Sequence, residues 1–166
     1  AWDAVLLENG EEIPDLNAYD AMLVMGGPMN VWDVEKYPWL VEEKNAIRFW
    51  VEELNRPYLG ICLGHQLLAD ALGGKCFPQD TPEIGIFEIR LNNNGINDTI
   101  FNGMDERQFC LQWHSVKVTE LPKNTLVLAS SSLCEVQAMK VGECAWSMQY
   151  HMEVEWDTID KWLSDP

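Results

Sequence analysis

Residues 57–65 read Pro57-Tyr58-Leu59-Gly60-Ile61-Cys62-Leu63-Gly64-His65, and Cys62 stands where an apolar extended run meets the helical pattern 63–72. A strand that turns directly into a helix needs a sharp apex, and the side chain at that apex protrudes. Gly60 and Gly64 flank Cys62 at two residues on either side. They remove Cβ atoms where so tight a turn would clash, and they let a substrate approach the sulfur. The first amides of the new helix point toward the same space, where they favour a thiolate and can donate to an oxyanion. This is the pattern of a nucleophile elbow with cysteine as the nucleophile. The competing reading is a structural cysteine closing a core strand, since free cysteine is among the most buried residue types.

The far end of the chain favours the elbow. Residues 145–154 read Ala-Trp-Ser-Met-Gln-Tyr-His-Met-Glu-Val, a further strand pattern that ends in His151 with Glu153 two residues on. On an extended segment, residues i and i+2 share a face. The spacing therefore predicts a carboxylate holding an imidazole, and the imidazole facing a thiol. Such a pairing is chemically needed, because a free thiol of pKa about 8.5 is mostly protonated at neutral pH.

Composition bounds the remaining possibilities. A chain of 166 residues suits one domain with a real core, and 47% hydrophobic with 23% charged residues is a globular balance. No apolar run is long enough to suggest a membrane span and no signal-peptide pattern opens the chain, so a cytoplasmic location without membrane contact is expected. With 27 acidic against 11 basic residues the net charge is −16, which disfavours a phosphate-backbone surface and hence nucleic acid as a partner. The acidic clusters at 8–15, 42–53 and 153–160 read as solvated faces. Five cysteines (62, 76, 110, 134 and 144) with no C-x-x-C pair signal neither a disulfide framework nor a zinc site. No metal and no cofactor is expected.

Along the chain, residues 2–8 and 21–25 read as short buried parallel strands, and 39–54 as an amphipathic helix with Pro38 at its start. A strand at 57–61 leads into the elbow helix, which Gly73-Gly74 ends. The pattern then turns to β: strands are predicted at 75–77, 84–91, 108–113, 126–129, 135–140 and 145–150, before a short helix at 157–163. Alternating β and α followed by a β-rich half indicates an α/β three-layer domain, with a mostly parallel sheet and an antiparallel extension.

Gly60-Ile61-Cys62-Leu63-Gly64-His65-Gln66, Gly26-Gly27-Pro28 and His151-Met152-Glu153 together resemble a class I glutamine amidotransferase domain, and they occur in that family's order. Pro82-Glu83-Ile84-Gly85 and the stretch 113–118 extend the resemblance over nearly the whole chain. Within the class, the chain is most similar to free-standing members that resemble the glutaminase half of GMP synthase. The resemblance implies a flavodoxin-like fold and glutamine as substrate. It also implies Cys62 as nucleophile, His151 as general base and then acid, Glu153 as the group orienting His151, and the amides of Leu63 and Gly27 as the oxyanion hole. By the same resemblance Gln66, one turn beyond Cys62, contacts glutamine, and the backbone at His114 and Ser115 holds its amino-acid end. Ammonia would pass to a synthetase partner or acceptor domain.

The chain departs from the family at Val116, where many members have aspartate, and at Met152, where proline is common. Members usually begin with a strand and helix preceding the segment at 2–8, so 1–166 is expected to be a single amidotransferase domain that is N-terminally incomplete. His65, on the same helix as Cys62, is expected to be structural. His114 is the other candidate base, but Val116 fills the position two residues on where an acid would stand. The same Cys-His-Glu set also serves a γ-glutamyl amide or peptide hydrolase, and a third reading is a non-enzymatic regulatory or assembly module.

Overall fold

The computed structural model describes residues 2–164. Two short apolar segments become parallel strands because the helix between them returns the chain over one face of the sheet. β1 (Met22–Val24) runs into Gly26-Gly27-Pro28. α1 (Trp39–Arg48) follows Pro38, whose fixed φ suits a helix start, and a π-helical turn over Phe49–Leu54 continues it. Leu40, Ile47, Trp50 and Val51 form its buried stripe. β2 (Tyr58–Ile61) then pairs in parallel with β1, Val24 opposite Gly60.

The elbow helix is α2 (Leu63–Ala71), and Gly73 at φ +85° lets the chain leave it. There follow β3 (Lys75–Leu91), α3 (Asn93–Ile96), β4 (Arg107–Glu120), β5 (Thr125–Ser130), β6 (Ala138–Val141), β7 (Ala145–Met148) and α4 (Trp156–Ser164). The seven strands form one mixed sheet in the order β1-β2-β7-β6-β5-β3-β4. Parallel pairing is confined to β1–β2 and β2–β7, and the antiparallel extension reaches from β7 to β4. One core lies between α1, α2 and the sheet and includes Trp50, Tyr58, Leu67 and Met139. A second, on the opposite face, joins Ile61, Ile89, Leu128 and Met148 to Phe101. Among the described residues no helix is long and apolar enough to cross a membrane.

Several expected elements are corrected. Residues 2–6 form no strand: the segment closes on itself, with the Asn9 and Glu11 amides donating to the Leu6 carbonyl, and a 3-10 turn follows at Leu7–Asn9. The outer edge of β1 has no neighbour among the described residues, and Leu23 and Met25 beside it are exposed. The segments 75–77 and 84–91 are one strand, interrupted by a bulge between Pro78 and Glu83. Pro78 and Pro82 cannot donate to a ladder, so the extra residues are pushed out of register while pairing with β4 continues on both sides. The strand expected at 135–140 begins only at Ala138, because the Ser131 hydroxyl accepts the Leu133 and Cys134 amides and turns the preceding segment.

At the elbow Cys62 takes φ +52°, ψ −102°, a backbone region costly for a residue with a Cβ. The flanking glycines prove to serve packing. A Cβ on Gly60 would lie 2.5 Å from the Gly64 carbonyl oxygen, and one on Gly64 would lie 2.2 Å from that of Val24. Substituting Gly64→Ala therefore forces β1 and α2 apart, at a cost of about 3 kcal/mol or a drop of roughly 6–12 °C in Tm. Thermal unfolding of G64A checks this; an unchanged Tm would mean the elbow has slack.

Candidate active site

The C-terminal ends of the three parallel strands converge, so residues distant in sequence meet at one edge of the sheet: 25–27 after β1, Cys62 after β2 and 149–151 after β7. Cys62 is anchored by its amide, which donates to the Met148 carbonyl at 2.8 Å, while its carbonyl accepts the His65 and Gln66 amides that begin α2. Leu63 supplies the first amide of that helix, which has no intrahelical acceptor. Gly26 passes so close that an added Cβ would be 3.3 Å from His151 Cε1 and 3.4 Å from Cys62 Cβ. The backbone of Gly27 lies against the Leu63 side chain, where an added Cβ would come within 3.0 Å.

His151 does not lie on β7, which ends at Met148. It is held instead by an isolated antiparallel bridge to β4, its amide donating to the Leu111 carbonyl at 2.8 Å. His151 and Glu153 do meet, but through a bend rather than through the pleat of a strand. His151 Nδ1 lies 2.7 Å from Glu153 Oε1, and Glu153 Oε2 accepts the Met152 amide at 2.9 Å. Nδ1 therefore carries the proton toward Glu153, and the ring and the Cys62 sulfur flank one point, 3.3 Å from His151 Cε1 and 4.0 Å from Sγ, where a Cβ on Gly26 would stand. Burial pulls the imidazole down, but hydrogen bonds to Cys62 and Glu153, reinforced by their charges, outweigh it and push its pKa up to about 9. Burial acts to raise Glu153, yet its bonds to His151 and nearby amides hold it below the usual carboxylate value. The indole of Trp162 on α4 closes the other side, edge-on to the His151 ring at 4.9 Å.

His114, the alternative base, is turned away into the interior. Its Nδ1 donates to the Val116 carbonyl at 3.0 Å, and its Nε2 lies 3.0 Å from Glu83 Oε2. The bulge in β3 places Glu83 opposite His114, and fully buried Glu83 also accepts from Ser131 Oγ at 2.6 Å and Gln137 Nε2 at 2.8 Å. Burial acts to raise the Glu83 carboxyl, but these partners hold it below its ordinary value. The acid for His114 thus comes from another strand, which no local spacing reveals. His65 is structural as expected: fully buried with Nδ1 at 2.9 Å from Ser147 Oγ, it is driven down to about 3 by burial and then by the nearby His114.

Gln66 faces the cavity as the helical spacing requires, with Nε2 donating to the Val116 carbonyl at 3.3 Å and to Gln149 Oε1 at 3.1 Å. Ser115 is exposed in the cavity wall. Sequence reasoning missed Gln149 and Trp162; the first stands two residues before His151, a spacing that carried no chemistry of its own. The cavity, of about 820 Å³, is also lined by Gly26, Gly27, Cys62, His151 and Glu153. Among the described residues no cluster of three or more metal-ligating side chains occurs. Burial pushes the thiols of Cys76 and Cys134 up to about 12 and Cys110 up to about 11, and it raises Cys144 as well.

Residues 2–163 match the family model for "Glutamine amidotransferase class-I". A glutamine-hydrolyzing GMP synthase subunit from Sulfolobus acidocaldarius is 31% identical over 157 residues, covering 92% of this chain and 77% of that protein. Its counterpart in Pyrococcus abyssi is 33% identical over 157 residues with the same coverages. Among solved structures, a glutamine amidotransferase from Thermotoga maritima superposes with a TM-score of 0.88 at 29% identity, covering 98% of this chain and 69% of that one.

Because the folded His151 titrates above its ordinary value of 6.5, its stabilising contribution is fully present below about pH 6.5 and is lost as pH rises through about 9. In Glu153→Gln one of the groups that raise it is gone. NMR titration of the imidazole should show its pKa falling toward the ordinary value, and the alkaline loss of stability should begin at lower pH. An unmoved titration would mean that Glu153 does not hold the ring in solution.

Proposed function

The chain belongs to the class I glutamine amidotransferases, and from that membership we propose that Cys62, His151 and Glu153 carry out its glutamine hydrolysis. The observation that carries the reading is a sulfur on a strained elbow beside an imidazole that a carboxylate holds at 2.7 Å. The Cys62 thiolate attacks Cδ of the glutamine side chain, and the carbonyl π electrons move onto oxygen. That oxyanion accepts from the Leu63 and Gly27 amides, each such donor being worth roughly 10²-fold or more in rate. As the tetrahedral adduct collapses, the C–N bond breaks and the His151 imidazolium gives its proton to the departing nitrogen, releasing ammonia. His151, now neutral, takes a proton from water; hydroxide adds to the thioester, and glutamate leaves as the Cys62 sulfur is expelled.

Both Nε2 protons of Gln66 are engaged by Val116 and Gln149, so Gln66 offers its Oε1 to the α-ammonium of the substrate. Ser115 and the backbone beside His114 take the rest of its amino-acid end, with no aspartate at Val116 to assist. Ammonia then passes to a synthetase partner, as the names of the GMP synthase relatives suggest, and a chain of net charge −16 favours a basic docking face.

Cys62→Ser should lower glutamine hydrolysis at least about 10³-fold with the far-UV spectrum unchanged, because the imidazole cannot activate a hydroxyl of much higher pKa. A diazo-ketone analogue of glutamine should label Cys62 alone among the five cysteines. Substantial activity in C62S, or labelling at Cys110 or Cys134, would overturn the site. Preferential cleavage of γ-glutamyl peptides would instead assign the same residues to a hydrolase.

A further inference from the structure

Two polar side chains meet the Cys62 sulfur, and only one of them belongs to the proposed triad. His151 flanks it on the cavity side; Gln149 approaches from the core, its Nε2 at 3.8 Å from Sγ. Gln149 is fully buried and takes no part in the cavity wall, so it cannot reach a bound glutamine or its oxyanion. Its side chain has two contacts, the sulfur through Nε2 and Gln66 through Oε1.

The polarity of its amide is dictated from outside the pair. A side-chain amide can present either an N–H donor or a carbonyl acceptor, and the choice follows its neighbours. The Val116 carbonyl can only accept, so Gln66 must turn its NH2 toward it. The second Nε2 proton of Gln66 then points at Gln149, which must answer with Oε1. That leaves the Gln149 NH2 facing sulfur. The Val116 carbonyl is itself held by His114 Nδ1, and His114 by Glu83. A buried chain of contacts thus runs from the bulge in β3 to Cys62, and from the Val116 carbonyl onward each link fixes the sense of the next. An N–H aimed at sulfur stabilises a thiolate, whereas a carbonyl in its place would repel the anion and accept from a thiol.

We propose that Gln149 is a further catalytic residue, donating to the Cys62 sulfur from its buried side and favouring the thiolate, with Gln66 as the positioning residue that sets its polarity. The proposal rests on Cys62 being the nucleophile. Both attack and expulsion involve an anionic sulfur, so the donor acts in thioester formation and again in its hydrolysis.

The test replaces the donor with a side chain of similar size and no hydrogen-bonding group, Gln149→Leu, with Gln149→Met as the second variant should the first not fold. Iodoacetamide alkylation of Cys62, followed across pH by mass spectrometry of its peptide, reads the thiolate without any substrate. The midpoint should move up by about one pH unit. kcat for glutamine should fall about tenfold, while any rise in KM reads the lost contact from Gln149 to Gln66 rather than the loss at the sulfur. An alkylation midpoint that does not move, or a raised KM with kcat intact, would overturn the proposal and leave Gln149 a packing residue. Native protein that alkylates at Cys62 yet releases no ammonia from glutamine would sink the proposed function, while the shift in midpoint would still decide the role of Gln149.

Discussion

The structure depends on a close approach of three backbones. β1, β2 and α2 meet where Gly60 touches the Gly64 carbonyl and Gly64 touches that of Val24, at separations no Cβ would tolerate. This contact lets β2 end in a helix without an intervening loop. It also drives Cys62 into its strained conformation, which costs of order 1–3 kcal/mol. The surroundings hold the strain in place: the Cys62 amide is bonded to Met148, its carbonyl starts α2, and Tyr58 Oη donates to the Gly64 carbonyl from below. Because β1 and β7 flank β2 in parallel, the same geometry places Gly26 and Gly27 on one side of the sulfur and the His151 segment on the other.

Around that apex the interior is unusually polar. Glu83, Gln112, Gln137, Gln149, His65 and His114 are all buried, and such groups are costly unless partnered. Several are linked by hydrogen bonds, Gln112 donating to Gln137 and Gln137 to Glu83, while His114 Nε2 lies 3.0 Å from Glu83 without a hydrogen bond. A fully apolar filling would pack this space, but it would leave the carbonyl of Val116 and the amide of Gln66 free to take other orientations. The polar interior fixes directions as well as distances. The Cys62, His151 and Glu153 cluster carries the opposite balance, with an imidazole whose two partners both favour its charged form despite burial.

Much of this is legible in the sequence where chemistry is local. The elbow needs glycine at fixed offsets from Cys62, and a histidine with an acid two residues on is recognisable wherever the chain bends back. The same logic places α1, α2 and the β-rich half, because apolar periodicity and glycine stops act over a few residues. It fails at 2–8, where an apolar run resembles a strand but pairing depends on a neighbour supplied by the fold. It joins His151 to Glu153 correctly but for the wrong geometric reason, assuming a pleat where the chain makes a bend.

The sequence by itself determined which cysteine, histidine and glutamate stand as the proposed nucleophile, base and orienting acid, since each is picked out by residue type and short-range spacing. Only the tertiary structure decided what surrounds them. That Glu83 partners His114, that Gln66 and Gln149 link Val116 to the sulfur, and that Trp162 covers the imidazole are contacts between residues far apart in the chain. The reason is physical: an amide or carboxylate acquires its role from the donor or acceptor it faces. In a mixed sheet, that partner is set by strand order and by the bulge in β3, neither of which is written within the span of a few residues.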